Sequence, residues 1–166
     1  MQKSAWIKFT KRIPVNADIE TIYKAWATGN GLESWFLRKA EFVTAENVLR
    51  PPDSPIWKGD SYTWLWHGYD DGSAEKRKVV EANGKDIIRF EFSGDSIVSV
   101  NVLVEEGQTI VQLIQEHIPL ADDPSSSLYV ACGEGWTFYL TNLKSILEGG
   151  IDLRNKDVNI KRVINS

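Results

Sequence analysis

The spacing of apolar residues changes along the chain and so divides the sequence into predicted elements. The segment "SAWIKFTKRI" sets apolar residues among polar ones and predicts a first strand. In "NADIETIYKAWA", apolar residues from Ile19 to Trp26 recur on one helical stripe, and Asp18 or Asn16 is placed to cap the first turn. The segment "GNGLESWFLRKA" repeats the helical spacing after its glycines. The first part of the chain therefore predicts one strand followed by two short helices.

Six further segments have the composition and alternation of strands: "RKAEFVTAE", "DSYTWLWH", "EKRKVVEA", "DIIRFEF", "SIVSVNVLVE" and "TIVQLIQEHI". Several of the turns between them contain Asp-Gly, Asn-Gly or Glu-Glu-Gly, and such short connections join antiparallel neighbours. The segment "RPPDSPIWKG" carries three prolines, which lack the backbone donor that a sheet needs. It is therefore predicted to be a surface loop.

The C-terminal part of the chain predicts a long helix over about residues 126–148. Its apolar face consists of residues three or four positions apart: Trp136, Leu140, Leu143 and Leu147. Asp122–Ser127 offers side chains for the N-cap, and Gly149 offers the left-handed C-terminal geometry. Gly133 and Gly135 each cost a helix interior about 1 kcal/mol relative to alanine. They indicate either close packing or a later start of the helix.

This order of elements predicts an α+β fold in which a curved antiparallel sheet wraps around the long C-terminal helix, with two short helices after the first strand. A large sheet curls by its own twist, and the helix can bury its apolar stripe in the concave face. We find no internal repeat and no low-complexity linker in the 166 residues. A single domain over 1–166, with a short tail over 151–166, is the expected division.

Composition and charge narrow the classes of function. The net charge of −4 argues against broad nucleic-acid binding. The sequence has no apolar run long enough to span a bilayer and no secretory signal at its start, so we expect a cytoplasmic protein. Cys132 is the only cysteine, and the two histidines lie fifty residues apart, so neither a disulfide nor a metal site is predicted. No cofactor is expected.

Five blocks of the chain resemble the activator-of-heat-shock-protein-ATPase-homologue-like branch of the START-like (SRPBCC) superfamily. They are "VNADIETIYKAWATGNGLESWF", "KGDSYTWLWHG", "VVEANGKDIIRFEF", "TIVQLIQEHIP" and "GEGWTFYLTNLKSILEGG". The resemblance implies a helix-grip fold with a hydrophobic cavity between the sheet and the long helix. It also suggests a chaperone as a partner and a role in stress response. The chain departs from the common pattern in its proline-rich insertion, in Asp60, where a second glycine is usual, and in its C-terminal extension.

The side chains expected to line such a cavity follow from strand alternation and the helical stripes. They are Trp26, Trp35, Tyr62, Trp64, Trp66, Phe90, Phe92, Gln115, His117, Trp136, Leu140 and Leu143. Large aromatic side chains serve equally well as core, so simple packing is the alternative interpretation for most of them. Tyr62 is the preferred ligand contact, because a buried hydroxyl needs a hydrogen-bond partner.

The hypothesis that follows is noncatalytic binding or carriage of a small hydrophobic ligand, such as a lipid, an aromatic compound or a polyketide-like compound. A protein-interaction module of the chaperone-activator type is the first alternative, and a cyclase-like enzyme is the second. The sequence has no nucleophile turn, no phosphate loop and no convincing Cys-His pair. No catalytic residue is therefore named, and the oligomeric state is left open.

Overall fold

Seven antiparallel strands form one curved sheet in residues 3–164, the part of the chain that the computed structural model describes. The strands are β1 (Lys8–Pro14), β2 (Lys39–Val43), β3 (Ser61–Leu65), β4 (Glu75–Ala82), β5 (Ile87–Phe92), β6 (Ser96–Glu105) and β7 (Gln108–Glu116). Their order across the sheet is β1-β7-β6-β5-β4-β3-β2. The first strand, β1, pairs with the last, β7, and every other pair of neighbours consists of strands that are consecutive in the chain. The short turns predict this pairing of consecutive strands.

Three α-helices accompany the sheet: α1 (Ile19–Ala27), α2 (Gly29–Trp35) and α3 (Leu128–Leu147). The Asp18 side chain accepts the backbone N–H of Thr21 and so caps α1. Ser127 caps α3, and Gly149, with φ of 82°, follows its end. The predicted helix-grip fold is thereby confirmed, except that residues Lys3–Trp6 form a 3-10 helix instead of strand. The long helix keeps close to its predicted bounds and has Gly133 and Gly135 in its interior, so of the two alternatives for these glycines the later start is excluded.

Strand alternation puts the predicted apolar residues on the concave face. Tyr62 and Trp64 of β3 are each 2% exposed. Phe90 of β5 and Leu113 of β7 are equally inaccessible, and Leu143 of α3 packs in the same core. The helical stripe and the inner sheet face thus form one hydrophobic core, as the pattern predicted.

Two of the three departures from the family pattern, Asp60 and the C-terminal extension, each supply a buried charged contact. Asp60, with a side chain 2% exposed, receives two hydrogen bonds from Arg50, at 2.6 Å and 2.8 Å. The same carboxylate accepts the backbone N–H of Trp57, so it holds the proline-rich loop in place. Removing a partner of a buried ion pair leaves an uncompensated charge, which is why glycine and aspartate are not equivalent at this position.

The C-terminal extension is anchored beneath the end of α2. The Arg154 guanidinium donates to the carbonyl oxygens of Glu33, Ser34 and Leu37 at 2.9 to 3.1 Å. These are carbonyls at the end of a helix, which need donors from outside the helix. Asn142 of α3 joins the same junction, because its amide donates to the Trp35 carbonyl and its Oδ1 accepts the Leu153 N–H. Asn165 and Ser166, the last residues of the predicted tail, lie outside the described residues, as do Met1 and Gln2.

Candidate ligand-binding site

A cavity of about 430 Å³ lies between the first half of α3 and one end of strands β3 to β5. Phe36, which follows α2, closes it from a third side. Tyr69 and Ser73 of the loop after β3 are exposed, as is Ala131 of α3, so the cavity opens to solvent between that loop and the helix. The volume lies within the range of about 300 to 1,000 Å³ that is usual for small-molecule sites.

The wall of this cavity is mostly aromatic and aliphatic. Its residues are Phe36, Trp66, Tyr69, Ser73, Glu75, Phe92, Ser93, Leu128, Ala131, Cys132, Gly135, Trp136 and Tyr139. The rings are fixed by one another: Phe36 packs against Trp136 at a centroid distance of 5.0 Å and against Tyr139 at 4.9 Å. Such contacts hold the wall in shape without a ligand.

Glu75 places a carboxylate in the wall at the start of β4. Arg77 Nε donates to its Oε1 over 2.9 Å, and Ser93 Oγ donates to its Oε2 over 3.1 Å. Arg77 also binds Asp95, so one guanidinium serves two carboxylates. The Glu75 side chain is 19% exposed and is the charged group of the cavity wall.

Tyr139 and Cys132 supply further polar atoms from α3. Burial raises the pKa of the Tyr139 hydroxyl, which is therefore neutral and able to donate a hydrogen bond. Among residues 3–164 it has no hydrogen-bond partner, although the side chain is largely buried. Burial also raises the pKa of the Cys132 thiol, which therefore stays protonated near neutral pH. The hydroxyl is not among the buried side-chain atoms that lack a partner in the described residues, so water reaches it, and a bound molecule would replace that water.

Gln115 stands behind the wall and fixes Trp136. The Trp136 indole donates to Gln115 Oε1 over 2.9 Å, and Gln115 Nε2 donates to Ser96 Oγ over 2.9 Å. All three side chains are buried. Gln115 was predicted to face the ligand, but these bonds use its amide for the protein, and it acts as a support for the cavity wall.

The structure brings three of the predicted lining residues to this cavity: Trp66, Phe92 and Trp136. Others lie in the filled core behind it: Trp26, Trp35, Trp64, Phe90, Leu140 and Leu143. The row "YTWLW" is therefore core at its first two aromatic positions and cavity wall at its last, where the strand ends. In the described part of the chain, the indole N–H groups of Trp26 and Trp64 are buried without an acceptor.

Tyr62 and His117 stand elsewhere than the alternation alone suggested. The Tyr62 hydroxyl donates to the Glu91 carbonyl, so the protein itself satisfies it. His117 is exposed, against its predicted place on the inner face. The reason is local: β7 ends at Glu116, and His117 takes a left-handed φ of 60°, which breaks the alternation.

Sequence reasoning missed the residues of the wall that come from short or irregular segments. Tyr139 had a usable signal, because it lies three positions after Trp136 and so belongs to the same helical stripe. Glu75 and Ser93 had none, since the first begins a strand and the second opens a 3-10 helix. Their meeting depends on the pairing of β4 with β5, which spacing does not reveal.

The site has no arrangement that activates a nucleophile. Both histidines lie outside the cavity wall, and burial keeps the Cys132 thiol in its protonated, weakly nucleophilic form. In the described residues no group of three His, Cys, Asp or Glu side chains is placed to hold a metal ion. The geometry supplies shape, apolar surface and a few polar atoms, which are the elements of a binding site.

Comparison with known families agrees with this architecture. A model of the family described as "Activator of Hsp90 ATPase homolog 1-like protein" matches residues 16–148, which is most of the chain. The chain belongs to this family. It is thereby a member of the START-like (SRPBCC) superfamily, as the sequence blocks indicated, and its fold is one that supports ligand binding in general. A search of curated proteins returned no significant match.

Solved structures similar to this member of the activator of Hsp90 ATPase homolog 1-like family share its fold. Protein SSP2350 from Staphylococcus saprophyticus superposes with a TM-score of 0.68 at 18% identity, over 89% of this chain and 96% of that one. The Aha1 dimer from Colwellia psychrerythraea gives 0.65 at 20% identity, over 87% and 98%. DynU16, from the dynemicin biosynthetic locus, gives 0.64 at 16% identity, over 90% of this chain and 50% of that one. At these identities the likeness concerns the fold alone.

None of the helices in residues 3–164 combines the length and the apolar character needed to cross a membrane.

Proposed function

We propose that this family member binds one small hydrophobic molecule with a polar end, in the cavity between α3 and the ends of β3 to β5. The observation that carries the proposal is the cavity itself, about 430 Å³ in volume, with aromatic walls that ring contacts hold open. A concave, mostly apolar space of this size with a few polar groups in its wall is the usual form of a small-molecule site.

The energetics favour an apolar body with a hydrogen-bonding group. Each Å² of apolar surface that leaves water contributes about 25 cal/mol. The Tyr139 hydroxyl and the free lone pairs of Glu75 select the polar end, because a ligand that covers them must replace the water to which they bind. Both carboxylate oxygens of Glu75 already accept hydrogen bonds from the protein, and burial keeps the Cys132 thiol protonated, so carriage or sensing fits the site better than a cyclase-like reaction.

The description of the family suggests a second candidate, an activator of a chaperone ATPase. The two functions differ in what they require. A carrier needs the cavity open, whereas an activator needs only the exterior. Stimulation of a chaperone ATPase by the protein, unchanged when the cavity is blocked, would favour the activator.

A blocked cavity provides the first experiment. A β-carbon added at Gly135 meets no atom within 4 Å, so Gly135→Leu extends a side chain into the space without a clash at its base. Thr137→Leu is the matched control, since Thr137 is exposed on the same helix and lies off the cavity wall. Native mass spectrometry of freshly purified protein should detect a copurified organic ligand in the wild type and in Thr137→Leu, with its loss in Gly135→Leu. Equal ligand content in all three proteins contradicts the proposed location.

Two tyrosine substitutions test which hydroxyl the ligand meets. Tyr139→Phe removes the unpartnered hydroxyl and should weaken binding of the recovered ligand roughly 2- to 13-fold, the scale of one neutral hydrogen bond. Tyr62→Phe removes a hydroxyl that already serves the Glu91 carbonyl, and it should leave the affinity unchanged while lowering the stability. Calorimetric titration gives the affinities. The reverse order would move the polar end of the ligand to Tyr62.

A further inference from the structure

The cavity combines many aromatic rings with one acidic side chain. Six of its thirteen lining residues are aromatic, and Glu75 is the charged residue among them. In the described part of the chain, no lysine, arginine or histidine side chain lines the space. This composition favours one sign of charge in a bound molecule.

The carboxylates around the inner wall outnumber the cation beside them. Arg77 is shared between Glu75 and Asp95, which leaves this group with an excess negative charge. Each Glu75 oxygen accepts one hydrogen bond, from Arg77 or from Ser93, and a carboxylate oxygen has room for a second. At the mouth, Arg38 is paired with Asp71 and adds no free positive charge. Glu75 can therefore still accept a donor from inside the cavity.

The aromatic rings of the wall also favour a positively charged ligand. Phe36 meets Trp66 edge to face at a centroid distance of 5.6 Å, and Phe92 lies 5.4 Å from Trp136. Their π faces carry partial negative charge and attract a cation placed over them, most strongly where water is excluded. A carboxylate on the ligand would instead meet both the ring faces and Glu75 at close range.

We propose that the ligand carries a positive charge, as an amine or a quaternary ammonium group on an apolar body, and that Glu75 and the surrounding rings recognise this group. The inference rests on the proposed function, because it needs the cavity to bind a ligand. It excludes fatty acids and other carboxylate-headed molecules as the preferred class.

Three probes of equal chain length separate the charge of the head group from the hydrophobic body: octylamine, which is protonated at pH 7, 1-octanol and octanoate. Calorimetric titration of the wild-type protein should give an affinity for octylamine at least about tenfold above that for octanoate and clearly above that for octanol. Added salt should narrow this preference, because part of it is electrostatic.

Two variants with the same charge change locate the preference. Glu75→Gln keeps the size of the side chain and removes its charge, and it should reduce the advantage of octylamine over octanol to near unity. Asp95→Asn removes the charge of the other Arg77 partner, which is 87% exposed and off the wall, and it should retain most of the advantage. If Glu75→Gln fails to fold, the order of the three probes on the wild type decides the question.

The outcomes distinguish the two claims. If octanol binds and octylamine binds no better, or octanoate binds best, the cationic preference is overturned while the cavity remains a binding site. If Glu75→Gln folds and keeps the full preference for octylamine, Glu75 is not the recognition group and the inference fails. If none of the probes binds the wild type, both the inference and the proposed function are overturned.

Discussion

The indole N–H of Trp136 donates to the side-chain oxygen of Gln115 over 2.9 Å, and this bond joins the cavity wall on α3 to the inner face of the sheet at β7. Because both groups are buried, neither finds another partner easily if the bond is lost. The position of the wall thus depends on a polar contact inside an otherwise apolar core.

Replacement of Trp136 tests how much the fold depends on this junction. Trp136→Ala should lower the free energy of unfolding by about 3 to 5 kcal/mol, since it removes a large buried ring and leaves Gln115 without its donor. Chemical denaturation gives the value. Trp57→Ala is the control, because Trp57 is 53% exposed, and surface substitutions cost about 0.5 kcal/mol or less. Similar losses of unfolding free energy in both variants would show that Trp136 contributes no more to the core than an exposed side chain does.

Gly135 of α3 is predicted to be replaceable, whereas Gly94 is not. Gly135 lies inside α3 with no atom within 4 Å of an added β-carbon, so Gly135→Ala should stabilise the protein by roughly 0.5 to 1 kcal/mol through helix propensity. Gly94→Ala gives the opposite sign, since Gly94 has φ of 68° and its β-carbon would lie 2.5 Å from Leu128. Thermal and chemical denaturation measure both. Destabilisation by Gly135→Ala would mean that the helix does not run through this residue as described.

The C-terminal extension should contribute to stability through Arg154. Arg154→Met retains the aliphatic stem but loses the bonds to the Glu33, Ser34 and Leu37 carbonyls, and it should cost about 1.5 to 3 kcal/mol. Lys161→Met removes a positive charge from an exposed part of the same tail and should have almost no effect. Equal unfolding free energies for the two variants would show that the tail is not anchored in solution.

Acid should weaken the same anchor. Burial opposes ionisation of Asp152, but hydrogen bonds from Arg154, Lys156 and Asn142 outweigh it and hold the pKa of this carboxyl below its ordinary value of 3.8. A pKa that is lower in the folded state gives stability that is fully present above pH 3.8 and is lost as the pH falls below it.

Asp152→Asn should therefore have a lower free energy of unfolding than the wild type at pH 7. Between pH 7 and pH 3 its free energy of unfolding should fall by less than that of the wild type. Denaturation curves at both pH values measure the difference. Asp122→Asn, in an exposed loop, should follow the wild-type dependence. An unchanged pH dependence in Asp152→Asn would locate the acid sensitivity elsewhere.

The fold could be predicted from the sequence because the hydrophobic periodicity and the residue types of caps and turns reflect local structure. Asp18 caps α1 and Gly149 follows α3, as their residue types predict, and the alternation in β5 and β6 sets which residues are buried. The prediction failed where an element stopped early. His117 lies one residue past the end of β7 and is exposed. Alternation also loses its meaning near a turn, where Val104 of β6 is 58% exposed although Val102 on the same side of the strand is buried.

The site was harder to predict from the sequence, because it depends on which polar side chains find a hydrogen-bond partner in the folded protein. Both Tyr62 and Tyr139 are buried tyrosines of the inner layer, yet only the first finds a carbonyl, and that carbonyl lies in a different strand. Arg154 and the three carbonyls to which it donates are more than a hundred residues apart in the chain. Long-range contacts of this kind leave no periodic signal in a single sequence.

Tryptophan side-chain resonances offer the most direct test of ligand binding in the cavity. Trp66 and Trp136 line the space, whereas Trp57 is exposed on the proline-rich loop, away from it. In a ¹H–¹⁵N titration with octylamine and octanol, the indole signals of Trp66 and Trp136 should move with increasing ligand and saturate, while that of Trp57 stays fixed. Saturable shifts confined to Trp57, or none at Trp66 and Trp136 with either probe, would contradict a ligand site between α3 and the sheet.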